Sequence, residues 1–299
     1  MMRRFIGQTI LFGTLFLIIY LFLVVLAAKS IFIEHSGIHN YLYRYQVEKI
    51  LSSSDCNTIF IGDSSLGNAI NSDHFAEMSG LSSMNLALTG DYGYAGSYNM
   101  LKKAHSYHPD LRNVIVMHTV DMSTRGVSFG GYAKTITNLR DIIELSFRDM
   151  KIVLPMLFDL SDVHLAEQYD YASYISHDYV RQGGKNDFEG HEIEITENKL
   201  NRNKGYFLKK IVAYCDVNDL NLVYVHGPLY DGSLSLSGQF IQAANHSISS
   251  TGIELAELAI GVPNAKLGDS DDHVNPQFKD EYTSIYYRLI APLLDQIPE

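Results

Sequence analysis

The sequence predicts an α/β fold, in which a parallel sheet is covered by helices on both faces and preceded by one N-terminal transmembrane helix. Two observations carry this prediction. Short apolar segments alternate with helical patterns from residue 58 onwards, and an uncharged apolar stretch runs from Phe5 to Ala28. Strands separated by helices imply right-handed crossovers and therefore a parallel sheet. A chain of 299 residues is also long enough to form a sizeable core.

The apolar stretch is long enough to cross a bilayer, because a helix needs about 20 residues to span the hydrocarbon layer. Arg3 and Arg4 precede it, so the positive-inside rule keeps the N-terminus in the cytoplasm. A cleaved signal peptide is the alternative, since Ala28-Lys29-Ser30 resembles a cleavage site. The length favours an uncleaved anchor over residues 1–30, which would span a bacterial inner membrane once. We then expect the rest of the chain on the periplasmic or extracellular side.

After the anchor, the pattern predicts a neck over residues 31–55 and one α/β domain over residues 56–299. The predicted strands are Thr58–Ile61, Ser83–Leu88, Asn113–Met117 and Asn221–Val225. The predicted helices are Ser72–Met78, Ser97–Ser106, Phe207–Tyr214 and Glu281–Leu294. Residues 126–204 break this alternation, and a structureless loop of roughly 80 residues is rare in a compact domain. We interpret them as an insertion or lid over the strand ends.

Composition narrows the function classes. The formal net charge of −11 argues against nucleic acid as a partner, since phosphate binding requires clustered lysine and arginine. Twenty tyrosines without a tryptophan suit a glycan-handling surface, although tyrosine also packs well in cores. Cys56 and Cys215 either pair in an oxidising compartment or remain separate buried thiols. No cysteine and histidine spacing resembles a zinc site.

A reactive serine is predicted where the first strand ends, in Gly62-Asp63-Ser64-Ser65. Ligands of parallel α/β sheets sit at the carboxyl ends of strands, so this position suits a catalytic group. A serine hydroxyl needs a base to take its proton, and the base works best when a carboxylate orients it. Ser64 is therefore the candidate nucleophile.

The candidate base is His273, in an acidic segment that precedes the last predicted helix. Asp269, Asp271 and Asp272 surround it, and nearby carboxylates favour the charged imidazole and can hold one ring nitrogen. A solvated acidic loop is the alternative for this segment taken alone. The third component is Gly90, in the turn after the second strand, whose backbone N–H suits a negatively charged intermediate.

These three blocks resemble those of the SGNH, or GDSL, hydrolase family in order and spacing, over roughly residues 55–125 and 205–295. The resemblance implies a three-layer α/β/α sandwich with a flavodoxin-like parallel sheet. It also implies that Ser64 is the nucleophile and His273 the base. The N–H groups of Ser64 and Gly90 would line the oxyanion hole, and no metal or organic cofactor would be needed.

Two blocks depart from the family pattern. The family's own third block follows the third strand and is not one of these three. It usually contains an asparagine that donates to the oxyanion, and Val120 occupies its position here, followed by Asp121. The donor is then missing or supplied by another group, such as His118 or Thr119. The last block usually places an aspartate three residues before the histidine, where this chain has Ser270. Asp269 and Asp271 both remain candidates for the orienting carboxylate, while Asp272 is too close in sequence to reach back easily.

The membrane-anchored branch of the family suggests a serine-dependent O-acyl esterase or O-acyltransferase. Its substrate would be an acylated cell-surface glycan or another acyl donor, and it would act through an acyl-serine intermediate. The altered third block keeps open a second hypothesis of a different class. In that hypothesis the protein is a non-catalytic subunit that binds glycan or docks onto a multispanning membrane acyltransferase.

Overall fold

The computed structural model describes residues 2–29, 37–125, 135, 189–200 and 205–295. The chain divides into two compact units, Met1–Tyr41 with Phe129–Tyr169, and Leu42–Ser128 with Asp170–Glu299. The insertion predicted over residues 126–204 lies outside the described residues, apart from residue 135 and residues 189–200.

In the first unit, the described chain is dominated by helix α1, Met2–Lys29. Its segment Arg4–Phe22 has a mean hydropathy of 2.1, and only 6% of this segment is buried. The apolar side chains therefore face outwards instead of forming a core. The predicted N-terminal helix is confirmed as one that is long and apolar enough to cross a membrane.

The second unit is built on a five-stranded sheet whose pairings are all parallel. Its strands are β1 Thr58–Gly62, β2 Ser83–Ala87, β3 Asn113–His118, β4 Asn221–His226 and β6 Glu254–Ala256, in the order β2-β1-β3-β4-β6. Two shorter strands, β5 Leu229–Tyr230 and β7 Gly261–Val262, form a separate parallel pair. The predicted α/β class with a mostly parallel sheet is confirmed.

Helices cover both sides of the sheet. They are α2 Gly37–Ser52, α3 Ser64–Ala69, α4 Ser72–Ser79, α5 Gly93–Tyr107, α6 Gly205–Val217, α7 Asp231–Leu236, α8 Gly238–Ser249 and α9 Lys279–Ile290. Every residue of β1 and of β3 is buried, as expected for a parallel sheet that is covered on both faces. This burial accounts for the uninterrupted apolar runs in the sequence.

The last helix, α9, is fixed to the short helix α3 by side chains that bond its backbone. The Lys279 ammonium donates to the carbonyl of Gly67 at 2.7 Å, and the Thr283 hydroxyl lies 3.2 Å from the carbonyl of Ala69. Both helices share one apolar core with the sheet, in which Phe60, Phe75 and Tyr286 are fully buried. The segment before α9 is therefore held close to the end of β1.

The predicted neck contains α2, whose second half belongs to the sheet-bearing unit. The Gln46 amide donates to the carbonyl of Ala87 at 2.7 Å, and Lys49 donates to that of Asn85 at 2.8 Å. These bonds attach the helix to strand β2. From Leu42 onwards, the residues predicted as a neck are packed against the α/β unit.

The two cysteines are separate, free and buried. Burial raises the pKa of Cys56 to about 11, although a backbone hydrogen bond with Thr58 acts in the opposite direction. Burial also raises the pKa of Cys215 to about 12, with a smaller contribution from Asp216. Of the two alternatives for the cysteines, the structure confirms the second, in which they are separate buried thiols.

Candidate active site

Ser64 lies directly after β1, as the first residue of α3. The preceding Gly62 belongs to β1 and its φ is not positive, so a left-handed backbone does not explain the glycine. A glycine is required there for a different reason. A Cβ atom would overlap the carbonyl of Met117 on the neighbouring strand β3. The close approach of two strands thus explains the glycine before the serine motif.

Asp63 is a buried carboxylate that ties the end of β1 to the end of β3. It caps α3 by accepting hydrogen bonds from the Ser65 N–H at 3.0 Å and the Ser65 hydroxyl at 2.5 Å. It also accepts from the Thr119 N–H at 3.0 Å and lies 3.3 Å from His118 Nδ1. Burial raises the pKa of Asp63, but these partners outweigh it and hold the pKa at about 2. The carboxylate is therefore ionised, and it fixes the backbone on both sides of Ser64.

The predicted nucleophile and base are in contact. His273 Nε2 lies 2.9 Å from Ser64 Oγ, although 209 residues separate them in sequence. His273 is buried, and its second ring nitrogen, Nδ1, lies 2.6 Å from Asp269 Oδ1. Since a carboxylate can only accept, Nδ1 carries the proton, and Nε2 is left to accept from the serine hydroxyl. This is the geometry that serine activation requires.

The structure also distinguishes the aspartates around His273. Asp269 bonds the ring, whereas Asp271 accepts from the His191 N–H at 2.8 Å. Asp271 thus holds another segment of backbone and is not bonded to His273. Asp272 accepts from the Ser270 hydroxyl at 2.6 Å, and its Oδ1 lies 3.7 Å from His273 Nε2. Of the two candidates that the sequence left open, only Asp269 has the geometry of an orienting carboxylate.

These carboxylates set the direction of the His273 pKa. Burial lowers it, but the hydrogen bond to Asp269 and the charges of Asp272, Asp269 and Asp63 outweigh burial and raise the pKa above 6.5. The imidazolium that forms when His273 takes a proton is therefore stabilised by the site. A base of this kind accepts a proton readily near neutral pH.

Gly90 lies in the turn between β2 and α5. The Tyr92 N–H donates to the Thr89 carbonyl at 3.1 Å, and the Gly93 N–H to the Gly90 carbonyl at 3.2 Å. Among the described residues, the N–H groups of Ser64 and Gly90 have no hydrogen-bond acceptor. Both groups follow neighbouring strands at the same edge of the sheet. They remain available to a ligand at the serine.

Of the two residues suggested as substitutes for the missing asparagine, the His118 ring and the Thr119 N–H are already bonded elsewhere. His118 lies between Asp63, at Nδ1, and the Ser97 hydroxyl, 2.9 Å from Nε2. The Thr119 N–H donates to Asp63. Val120 is fully buried in a small apolar cluster. The His118 ring and the Thr119 N–H are therefore already committed to other partners.

Beyond Val120, Asp121 and Arg125 form an ion pair that the sequence motifs do not include. Arg125 Nη2 lies 3.0 and 3.1 Å from the two oxygens of Asp121, and Arg125 Nε lies 3.3 Å from one of them. A Cβ atom on Gly90 would overlap the Arg125 guanidinium. The four-residue spacing of opposite charges was a signal for the ion pair. Nothing in the sequence placed the pair beside Gly90.

Comparison of the chain with protein-family models and with curated proteins finds no match. Within the described part of the chain, no group of histidine, cysteine and acidic side chains is arranged to hold a metal ion. What this site can do chemically therefore follows from its own geometry.

Proposed function

We propose that this protein is a membrane-anchored, serine-dependent O-acyl esterase or O-acyltransferase of the SGNH type. We further propose that it acts on an acylated cell-surface glycan. The observation that carries the proposal is the hydrogen-bonded chain from Ser64 Oγ through His273 to Asp269, with distances of 2.9 and 2.6 Å. The glycan assignment is supported by composition alone, since the chain has 20 tyrosines and no tryptophan.

In the proposed reaction, Ser64 Oγ attacks the ester carbonyl carbon while His273 Nε2 takes the serine proton. The carbonyl electron pair moves onto its oxygen, and the N–H groups of Ser64 and Gly90 donate to the resulting oxyanion. When the carbonyl re-forms, the ester C–O bond breaks, and His273 returns the proton to the leaving oxygen. A water molecule or a sugar hydroxyl then attacks the acyl-serine in the same way and releases Ser64.

The sheet topology supports the same assignment. The order β2-β1-β3-β4-β6 corresponds to the doubly wound order 2-1-3-4-5 when the five strands of this sheet are numbered along the chain. In that order, ligands bind where the chain reverses direction across the sheet, between the first and third strands. Ser64 follows β1 and Thr119 follows β3, so the proposed nucleophile lies at this point.

We also propose that α1 anchors the protein in a bacterial inner membrane, with residues after Lys29 on the periplasmic or extracellular side. Arg3 and Arg4 before the apolar segment support this orientation. A reporter that is active only outside the cytoplasm, fused after Glu299, is expected to give a signal. The matched control is the same fusion to a reporter that is active only in the cytoplasm. A signal from that control alone would contradict the proposed localisation.

The pH dependence tests the role assigned to His273. Only the neutral imidazole accepts the serine proton, so kcat/KM for a small acyl ester should fall as the pH drops through the raised His273 pKa. The midpoint of this acidic limb is expected above 6.5. Asp272 favours the imidazolium, and Asp272→Asn should therefore move the midpoint to lower pH. Asp271→Asn is the control and should leave it in place, whereas equal midpoints in all three proteins would contradict the assignment.

A second candidate function is a non-catalytic subunit that binds glycan or docks onto a multispanning acyltransferase. It is favoured by the buried Val120 at the position of the family's oxyanion asparagine. Labelling the detergent-solubilised full chain with a fluorophosphonate distinguishes the two functions, because the probe reacts with activated serines. Mass spectrometry should locate the modification on Ser64 if the protein is an enzyme. An unlabelled Ser64 would favour the binding subunit.

A further inference from the structure

We infer that the Arg125 guanidinium supplies the oxyanion donor that the third block lacks, acting together with the N–H groups of Ser64 and Gly90. This inference deepens the proposed function and depends on it. It assigns a catalytic role to a residue outside the three sequence blocks, and it gives the site a cationic donor where related enzymes are expected to use a neutral amide.

The strand order indicates that the Arg125 side chain crosses the end of the strand that leads to the serine. Arg125 follows β3 and packs on Gly90, which follows β2, and β1 lies between these two strands. Neighbouring strands are about 4.8 Å apart, so the connection from β3 to Gly90 spans about 10 Å. It therefore passes across the carboxyl end of β1, where Ser64 begins.

The ion pair with Asp121 determines which guanidinium nitrogen is available. Asp121 accepts from Nη2 and Nε of Arg125, while Nη1 is the atom nearest to a Cβ added at Gly90. Among the described residues, Nη1 has no hydrogen-bond acceptor. One side of the guanidinium is thus fixed, and the other faces the Gly90 turn with its N–H groups free.

The surrounding charges agree with this position. Burial lowers the pKa of Arg125, but Asp121, Asp63 and Asp272 together outweigh burial and raise it. Asp63 directly precedes Ser64, and Asp272 lies 3.7 Å from His273 Nε2. The arginine is therefore electrostatically coupled to carboxylates on both sides of the Ser64–His273 contact. Its side chain is 40% exposed, so a substrate can reach it.

Arg125→Gln tests the inference, with Arg112→Gln as the matched control. Arg112 is exposed and lies before β3, at the opposite edge of the sheet. Loss of one oxyanion donor typically costs about 10²–10³-fold in kcat. With the full chain, we expect Arg125→Gln to lower the rate of Ser64 labelling by a neutral fluorophosphonate, and kcat for a neutral acyl ester, by about this factor. KM for the neutral ester should change little, and added methylguanidinium should partly restore an Arg125→Ala variant.

The outcomes separate this inference from the proposed function. If wild-type Ser64 is not labelled at all, the proposed function fails and the inference fails with it. If wild type is labelled and Arg125→Gln is labelled at the same rate, only the inference is overturned. A rise in KM confined to anionic esters, with kcat unchanged, would also overturn it, because Arg125 would then bind a substrate charge. Thermal unfolding of each variant shows whether a slower rate reflects misfolding, and methylguanidinium rescue would not follow from misfolding.

Discussion

Ser64→Ala and His273→Ala are each expected to reduce turnover of a small acyl ester by roughly 10⁴–10⁶-fold. The double variant should be little slower than either single variant, because the serine and its base act as one unit. Ser64→Ala removes the nucleophile, and His273→Ala leaves a hydroxyl that no group deprotonates. The measurement is the kcat of the three variants alongside the rate of fluorophosphonate labelling at position 64.

Matched controls separate this loss from a general effect of substitution. Ser106 is an exposed serine in the last turn of α5, and His74 is a partly exposed histidine on α4. Ser106→Ala and His74→Ala should retain wild-type labelling. Equal labelling of Ser64 in wild type and His273→Ala would remove the activated-nucleophile mechanism and leave the binding-subunit hypothesis. Labelling at a serine other than Ser64 would have the same consequence.

Asp269→Asn is expected to lower kcat by about 10²–10⁴-fold, since loss of the orienting carboxylate leaves the imidazole in the wrong tautomer. An asparagine amide can donate to Nδ1 and so favours the proton on Nε2, where it blocks acceptance from Ser64. The lower end of this range allows for the partial exposure of Asp269, whose side chain is 20% accessible. Steady-state kinetics with the same small ester provide the measurement.

Asp271→Asn is the comparison variant, because it makes the same chemical change two residues away. Its oxygen can still accept from the His191 N–H, so kcat should be close to that of wild type. A larger loss in Asp271→Asn than in Asp269→Asn would show that the 2.6 Å contact between Asp269 and His273 is not the productive one. In that event the orienting role would pass to Asp271.

The sheet was largely predictable because its central strands are buried on both faces. The four predicted strands begin at the observed residues and end within one residue of the observed ends. Strand β6, Glu254–Ala256, was missed because three residues with an exposed first position give neither alternation nor an apolar run. Helices α7 and α8, between Asp231 and Ser249, were also missed. Their serines and glycines are typical of turns, and tertiary packing of Phe240 and Ala244 overrides that tendency.

The candidate site was predictable in composition but not in detail. The order of the motifs along the chain predicts Ser64, Gly90 and His273 as parts of one site. The choice between Asp269 and Asp271, however, depends on the conformation of the local loop. The His273 N–H donates to the Ser270 carbonyl, and this turn brings Asp269 towards the ring. The position of Arg125 depends on strand order, since its partner Gly90 lies two strands away. Neither relation is encoded in the spacing of residues.

The separation of 209 residues between Ser64 and His273 has a consequence for biosynthesis. At about 5–20 residues per second, the serine is synthesised about 10–40 s before the histidine. Strands β1 to β3 can pair in that interval, but the segment that carries His273 is positioned only when α9 docks on α3 through Lys279 and Thr283. A growing chain therefore emerges with an inert hydroxyl. Under the proposed mechanism, reactivity towards esters begins only when the C-terminal helix has closed the fold.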